Sequence, residues 1–214
     1  MTYVYIGLLM LLSYLIGSIP SGLIIGKVFK KIDIREHGSK STGATNTIRV
    51  LGFKFGIFAF AFDVLKGAFV IALVFLMKDQ SLYIVSQYNI TISSIYGLAA
   101  VIGHVFPVYI KFKGGKAVAT SAGMILAIEP WVALAIIVVF LTVFLTTRYV
   151  SLASTACAVG VLVFFFIRIF FEHPFYNFAT RIMDLTIITI LASIIFVRHK
   201  TNYKRLREGT ESKL

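Results

Sequence analysis

The sequence has little charge, one cysteine and few carboxylates. Of its 214 residues, 14% are charged and 58% are hydrophobic, whereas soluble domains have about 25% charged residues. So little charge cannot cover a water-facing surface, which excludes an ordinary soluble domain and indicates a lipid environment. Cys157 cannot form an internal disulfide, and its apolar surroundings in the sequence favour a packing role.

The few carboxylates also limit the chemistry. The four aspartates and five glutamates are scattered and form no cluster that could hold a divalent metal. No histidine is followed five positions later by aspartate, so the HxxxxD general-base motif of acyl-CoA-dependent acyltransferases is absent, and no GxSxG nucleophile elbow occurs. We therefore expect no metal site and no cofactor.

Long apolar segments dominate what is present. A spanning helix needs about 20 mostly apolar residues, and seven segments are interpreted as spans: 3–28, 53–77, 90–110, 117–128, 131–147, 151–171 and 183–197. The fourth is short and follows a glycine-rich loop, a combination that often marks a binding site in membrane proteins. The sequence therefore predicts an all-α polytopic membrane protein of about seven transmembrane helices, forming a single domain over residues 1–214.

Lysine and arginine are distributed unevenly between these segments. Seventeen lie in alternate loops and the C-terminal tail, and three lie on the opposite side. By the positive-inside rule, this predicts an N-terminus outside the cell and a C-terminus in the cytoplasm, which requires an odd number of spans. The net charge of +12 is thereby explained by membrane orientation, and we expect no nucleic acid as a partner.

Polar residues inside the spans are costly and therefore informative. Asp63 and Lys66 are three residues apart and can pair on a helix; the pair is either structural or places Lys66 at a functional site. His104 ends the third span, either as a packing residue or as a functional one. Pro20 predicts a kink in the first span.

The first polar stretch that could carry chemistry is residues 38–49, GSKSTGATNTIR. Ser39, Thr45 and Asn46 supply hydrogen-bonding groups, and Arg49 follows at the membrane surface. The alternative is a polar loop that ends in a helix cap.

The second stretch is residues 103–121, which contain Lys113, two glycines and Lys116 directly before an apolar helix. Free backbone N–H groups, a helix N-terminus and lysines are the features of an anion site. A Walker A loop is excluded because its first glycine position is occupied by Ile110. The alternative is a lysine-rich loop that only sets membrane orientation.

The third stretch is the basic C-terminal tail. His199 and Asn202 are three residues apart and share one face if the last helix continues beyond the membrane. The alternative is a stop-transfer tail.

Together these stretches resemble the motifs of the PlsY-type bacterial membrane glycerol-3-phosphate acyltransferases. Residues 39–49 resemble SGNxGATNxxR, with Lys40 and Ser41 in place of glycine and asparagine. Residues 103–116 match GHxFPxxxxFKGGK, residues 199–211 match HxxNxxRLxxGxE, residues 148–154 match RYVSLxS, and the first span contains SYLxGSIPSG. The resemblance covers nearly the whole chain.

The resemblance implies transfer of an acyl group from acyl phosphate to the 1-hydroxyl of glycerol 3-phosphate. The products would be lysophosphatidic acid and phosphate, in phospholipid biosynthesis. It also implies a seven-helix bundle in the bacterial inner membrane with its active site facing the cytoplasm. The implied partners are glycerol 3-phosphate, acyl phosphate, membrane lipid and the enzyme that makes acyl phosphate.

The resemblance also implies site residues. Glycerol 3-phosphate would be bound by Ser39, Arg49, Lys116, His199 and Asn202. Acyl phosphate would be bound by Thr45, Asn46, Gly114, Gly115, Lys116 and Ser154, the last in preference to Ser151. Catalysis would depend on Lys116, Arg49 and Ser39, and the hydroxyl proton would go to a substrate phosphate or to His199 or His104.

Other classes stay open at this point. A small transporter of an anionic solute would also have several spans and buried charges, but the two halves of the chain show no inverted repeat. A membrane scaffold would need no anion-binding loops. A CDP-alcohol phosphotransferase would need a carboxylate-rich metal motif, which the sequence lacks.

Overall fold

The computed structural model describes residues 2–82, 84–85, 90–171 and 177–214. Over these residues the chain forms ten α-helices, which are α1 (Thr2–Gly17), α2 (Ser21–Lys30), α3 (Ala44–Leu51), α4 (Phe53–Leu76), α5 (Ser93–Val105), α6 (Val118–Ile128), α7 (Pro130–Thr147), α8 (Val150–Arg168), α9 (Phe178–Arg198) and α10 (Lys200–Arg207). Two short antiparallel strands, β1 (Ile84–Val85) and β2 (Ile90–Thr91), pair with each other. The predicted all-α fold is confirmed apart from this small hairpin.

Five of the described helices are long and apolar enough to cross a bilayer. They are α4, α5 with the short 3₁₀ segment that follows it, α7, α8 and α9. The bent pair α1 and α2 would make a sixth span. The shorter α6 is the segment predicted as the fourth span, so the count of seven stays a prediction.

The break between α1 and α2 lies at Pro20, where the sequence predicts a kink. The two helices meet at an angle of 42°. The carbonyl of Ile19 accepts a hydrogen bond from the amide of Ser21 at 3.1 Å and another from the Lys66 ammonium at 3.0 Å. Lys66 also pairs with Asp63 at 2.7 Å, and the Ser21 hydroxyl donates to the same carboxylate. The predicted pair is therefore confirmed, and it ties α4 to the break in the first span.

Helix α6 packs closely against α4. A Cβ atom on Gly67 would overlap the backbone of Thr120, and one on Gly123 would overlap the backbone of Val64. The two glycines lie on opposite helices, so each backbone rests in the gap left by the other's missing side chain. Such small-residue contacts let helices approach in lipid, where no hydrophobic force drives them together.

Helix α6 is too short to cross a bilayer by itself. Eleven residues rise only about 16 Å, whereas the hydrocarbon core is about 30 Å thick. Its neighbours α4 and α7 have 24 and 18 residues. If α6 is to reach the far side with them, the residues that precede Val118 lie inside the layer. A polar loop at that depth needs protein partners for its backbone.

Two predicted spans begin at the wrong residue. The third span was expected from Ile90, but Ile90 and Thr91 pair with β1, and α5 begins at Ser93. The last was expected from Met183, but the Asn177 side chain accepts a hydrogen bond from the Thr180 amide at 2.8 Å and starts α9 five residues earlier. A side-chain cap of this kind satisfies an amide that the helix itself cannot.

Candidate active site

The three polar stretches and the loop before α8 meet at one end of the bundle. Lys116 donates to the Asn202 side-chain oxygen at 2.6 Å. Arg49 donates to the backbone carbonyl of Ser212 at 2.8 Å, and the amide of Leu214 donates to the Arg148 carbonyl at 3.1 Å. Segments that are up to 163 residues apart in the sequence thus form one site.

The loop before α3 is organised around Asn46. Its side-chain oxygen accepts from the Ser39 amide at 2.7 Å, and its nitrogen donates to the carbonyls of Ile34 and Ser41 at 2.8 and 2.9 Å. Asn46 is 1% exposed. Its polar atoms therefore hold the loop together and place Ser39, which is half-buried; contact of Asn46 with a substrate stays a prediction.

The two departures from the family motif keep the turn intact. Lys40 has a φ of 58°, in the left-handed region where a non-glycine residue costs roughly 1–2 kcal/mol. Its amide donates to the His37 carbonyl at 3.0 Å. The Ser41 hydroxyl accepts from the Gly43 amide at 3.3 Å. Lys40 thus adopts a conformation that glycine takes more readily, and Ser41 supplies a hydrogen bond within the turn.

The Gly114–Gly115 turn lies against the end of α5. The amide of Gly114 donates to the Val105 carbonyl at 3.2 Å, and that of Gly115 donates to the His104 carbonyl at 3.1 Å. A Cβ on Gly115 would overlap the His104 ring, and one on Gly114 would overlap the His104 carbonyl. These two amides are engaged within the protein, so the expectation of free donors at the glycines is wrong.

The other edge of the same turn is bound by Arg198. Its Nε donates to the Gly115 carbonyl at 3.1 Å, and its Nη2 donates to the Gly114 carbonyl at 2.7 Å. The amides that remain for an anion are those of the first turn of α6, because the bond from Ser121 to Ala117 at 2.8 Å is the first to close that helix.

Lys116 is the first charged group after this turn. Burial lowers its pKa to about 8. Glu211 opposes this shift, whereas the positive charges of Arg205, Arg49 and Arg198 add to it. A negative charge bound beside Lys116 would favour its protonated form and would offset the surrounding positive charges.

Glu211 fixes the orientation of Asn202. One carboxylate oxygen accepts from the Asn202 amide nitrogen at 2.7 Å and from the Ser151 hydroxyl at 3.2 Å, and the other accepts from Arg205 at 2.7 Å. Burial would raise the pKa of Glu211, but the hydrogen bonds from Arg205 and Asn202 outweigh it and hold the pKa below its usual value. With its nitrogen turned to Glu211, Asn202 presents its oxygen to Lys116.

His199 is buried between α9 and α10, with 3% of its surface exposed. Its Nδ1 is 2.8 Å from the Ile195 carbonyl, so Nδ1 carries the proton and Nε2 is the acceptor. Burial and the charge of Lys116 lower the pKa of His199 to about 4. The imidazole is therefore neutral near pH 7, and it can accept a hydrogen bond from a hydroxyl.

Arg49 binds the C-terminal tail through one nitrogen of its guanidinium group and has another nitrogen available as a donor. Burial lowers its pKa. Its Nη2 binds the Ser212 carbonyl, while its buried Nε has no hydrogen-bond partner among the described residues. A buried guanidinium nitrogen without a partner is costly, and an anion bound at this position would remove that cost.

An apolar cavity of about 380 Å³ is lined by residues of α4, α6, α7, α8 and α9. Val118 and Ala119, at the start of α6, are among its lining residues, and its polar lining residues include Ser121 and Ser154. Ser154 is 3% exposed. A space that could hold a hydrocarbon chain is therefore lined by the helix that follows Lys116.

A second, polar cavity of about 10 Å³ lies behind the glycine turn. Asp63, Lys66, His104 and Thr42 line it, and His104 Nδ1 is 3.7 Å from the Asp63 carboxylate. His104 thus separates the buried ion pair from the turn. Over the described ranges, no group of three or more His, Cys, Asp and Glu residues is placed to hold a metal ion.

Comparison with known proteins identifies the family. The profile of the family described as glycerol-3-phosphate acyltransferase matches residues 7–209. The glycerol-3-phosphate acyltransferase of Macrococcus caseolyticus is 47% identical over 211 residues, covering 98% of this chain and 97% of that protein. The Bacillus subtilis enzyme of the same name is 43% identical over 209 residues, covering 98% and 97%. The chain belongs to the glycerol-3-phosphate acyltransferase family.

Solved structures of this family share the fold. The glycerol 3-phosphate form of PlsY, described as an integral membrane glycerol 3-phosphate acyltransferase, superposes with a TM-score of 0.80 at 35% identity, covering 98% of this chain and 96% of that one. Its lysophosphatidic acid form gives a TM-score of 0.78 at 34% identity, covering 98% and 95%. The resemblance to PlsY-type enzymes is thereby confirmed: the chain is a multi-pass membrane acyltransferase.

For this glycerol-3-phosphate acyltransferase, sequence reasoning brought the right segments together but missed two residues. Arg198 was counted only as a topology signal, and Glu211 was given no role. Both lie in or beside the third motif, so their position next to His199 and Asn202 was the available signal. Thr45, half-buried at the start of α3, and Ser154 lie at the same end as the other predicted residues; their substrate contacts stay predictions.

Proposed function

We propose that this enzyme transfers an acyl group from acyl phosphate to the 1-hydroxyl of glycerol 3-phosphate, giving lysophosphatidic acid and phosphate. One observation carries the proposal. Lys116 and Arg49 provide cationic groups for phosphate, and Val118, two residues after Lys116, lines an apolar cavity of about 380 Å³. A donor with a phosphate at the end of a hydrocarbon chain fits both features at once.

The acceptor would be bound by Ser39, Arg49, Lys116, His199 and Asn202. The unpartnered Nε of Arg49 and the ammonium of Lys116 suit the phosphate of glycerol 3-phosphate. His199 offers its neutral Nε2 to a hydroxyl group. Ser39, placed by Asn46, completes the polar surface on the α3 side.

The donor would place its phosphate at the first turn of α6 and its chain in the apolar cavity. The helix N-terminus and Lys116 stabilise negative charge there, and Thr45 and Ser154 supply hydroxyl groups. The engaged backbone of Gly114 and Gly115 indicates that these glycines act by allowing close approach. Asn46 acts by shaping the loop.

The reaction is a direct displacement. The 1-hydroxyl oxygen attacks the acyl carbonyl carbon, the bond from that carbon to the phosphate oxygen breaks, and phosphate leaves with the bonding electron pair. The site aligns the reactants and stabilises the charge on the leaving group, for which we assign Lys116, Arg49 and Ser39.

Of the three candidate acceptors for the hydroxyl proton, His104 lies next to the Asp63 carboxylate behind the glycine turn, which leaves His199 and the substrate phosphate. His199 has a pKa of about 4, whereas a phosphate monoester has a second pKa of about 6. The substrate phosphate is thus the stronger base near neutral pH, and we propose that it takes the proton. His199 then orients the hydroxyl through Nε2.

The membrane arrangement is part of the proposal. We infer seven spans over residues 1–214, with the N-terminus outside, the C-terminus in the cytoplasm and the site facing the cytoplasm of a bacterial inner membrane. The count of lysine and arginine supports this orientation. In this arrangement the soluble acceptor enters from water, and the enzyme that makes acyl phosphate can deliver the donor from the same side.

The test is phosphate release by the purified protein in detergent. Phosphate should appear from acyl phosphate only when glycerol 3-phosphate is present, together with one equivalent of lysophosphatidic acid. Acyl-CoA and acylated carrier protein serve as alternative donors in parallel reactions. Product formation from either of these, and none from acyl phosphate, would refute the assigned donor.

A further inference from the structure

The Gly114–Gly115 turn has its four backbone polar groups bound within the protein. Its two amides donate to the carbonyls of Val105 and His104 at the end of α5. Its two carbonyls accept from the guanidinium of Arg198 at the end of α9, at 2.7 and 3.1 Å. Two consecutive glycines have wide backbone freedom. A contact that fixes both of their peptide planes therefore also fixes the backbone position of the next residue, Lys116.

The guanidinium is suited to this contact. It is planar and carries several donors in a fixed fork, so that Nε and Nη2 can each bind one of two consecutive carbonyls. A lysine ammonium at the same place is a single point charge and would not reproduce both bonds. In the sequence, Arg198 is 83 positions from Gly115 and 84 positions from Gly114.

The same segment of the chain also holds the next side chain. Lys116 follows the turn directly, and its ammonium binds Asn202 at 2.6 Å, four residues after Arg198. Arg198 therefore fixes the backbone before Lys116, and Asn202 receives the end of its side chain. Displacement of the turn would move Lys116 relative to Asn202 and to the first turn of α6.

We propose that Arg198 is a positioning residue, which sets the place of Lys116 by binding the carbonyls of Gly114 and Gly115. The inference rests on the proposed role of Lys116 as a phosphate ligand. Arg198 acts through the turn, and its removal lowers activity because Lys116 is misplaced while its charge is retained.

The first experiment compares Arg198→Lys with Arg207→Lys in purified enzyme. Arg207 lies in α10 and is exposed, so it receives the same substitution without a bound turn. Arg198→Lys should lower kcat/KM for glycerol 3-phosphate by about tenfold, as for the loss of one hydrogen bond to a charged group, whereas Arg207→Lys should match the unmodified enzyme. Equal values for the two variants would overturn the proposal.

The second experiment is a double-variant cycle with Lys116→Ala. If Arg198 acts through Lys116, the double variant should be no slower than Lys116→Ala alone, because a missing ammonium cannot be misplaced. Losses that multiply would show that Arg198 works independently of Lys116 and would refute the positioning role. A generally weakened fold would also give losses that multiply.

Stability is measured beside activity, by melting in detergent. Arg198→Gln is the second variant, because its amide still donates to a carbonyl but carries no charge. A higher activity in Arg198→Gln than in Arg198→Lys supports the hydrogen-bonding role. Failure of both variants to fold would assign Arg198 to stability and overturn the proposal. If the unmodified enzyme does not use acyl phosphate at all, the proposed function fails. That result is separate from the positioning role, which is judged only by comparing variants with an active unmodified enzyme.

Discussion

The lowered pKa of Lys116 gives a prediction about substrate affinity against pH. Burial brings this pKa from 10.5 to about 8 in the empty enzyme; Glu211 opposes the shift, and Arg205, Arg49 and Arg198 reinforce it. Glycerol 3-phosphate is a dianion throughout pH 7–9.5, since its second pKa is about 6. Above pH 8 the substrate therefore meets an increasingly neutral lysine.

The size of the effect follows from the titration. One pH unit above the pKa of about 8, roughly one tenth of the enzyme keeps the Lys116 proton. KM for glycerol 3-phosphate should therefore rise about tenfold between pH 7 and 9, or about 1.4 kcal/mol. Between about pH 8 and 10.5 the unfolded chain binds the Lys116 proton more tightly than the folded one, so this group makes the fold more stable as pH rises. A loss of affinity in that window is therefore not a sign of Lys116-driven unfolding.

The assay is the initial rate of phosphate release at saturating acyl phosphate, with the rate in the absence of glycerol 3-phosphate subtracted. Lys116→Arg is the control, because arginine stays charged over the whole range. Its KM should be higher at pH 7 but flat up to pH 9.5. A flat KM in the unmodified enzyme, or the same rise in Lys116→Arg, would refute the assignment of Lys116 as a phosphate ligand.

Three further outcomes are expected. Lys116→Ala should lower kcat by about two to three orders of magnitude, as for the loss of a charge-stabilising donor. Lys111→Ala, in the same loop but outside the turn, should leave kcat nearly unchanged. Equal small losses in the two variants would mean that the lysines of this loop only set membrane orientation. Cysteines introduced at Ser39 and Ser212 should react with an impermeant maleimide only from the cytoplasmic side and one at Lys78 only from outside, and any exchange of sides would contradict the proposed orientation. EDTA should leave turnover unchanged because the sequence has no carboxylate cluster; its inhibition and recovery with magnesium would show that lysine and arginine do not suffice.

Local patterns in the sequence predicted the features that depend on neighbouring residues. The spacing of Asp63 and Lys66 indicated a pair on one helix, and it is present at 2.7 Å. Pro20 predicted the bend in the first span, and the short apolar run after Lys116 predicted the short α6. Each of these depends on chain geometry within one or two helical turns.

Features that depend on distant contacts were not predictable in this way. The glycine turn was expected to offer free amides, because nothing near it in the sequence shows that the carbonyls of Val105 and His104 bind them. Arg198 lies directly before the third motif, but its own segment does not show what it binds, since its partners lie more than 80 residues away. Family motifs brought these segments together but gave no reason for the contact.

The contact between α4 and the first span has a consequence for the order of synthesis. The ion pair of Asp63 and Lys66 lies within α4, a helix long and apolar enough to cross a bilayer. It has the Ser21 hydroxyl and the Ile19 carbonyl as additional partners. The ribosome makes α1 and α2 before α4, so these partners are already available when the charges enter the bilayer. A permuted gene that encoded α4 first would send the same pair into hydrocarbon with no other partner. In the natural order of the chain, the hydrogen-bonding partners in the first span are thus made before the Asp63–Lys66 pair that needs them.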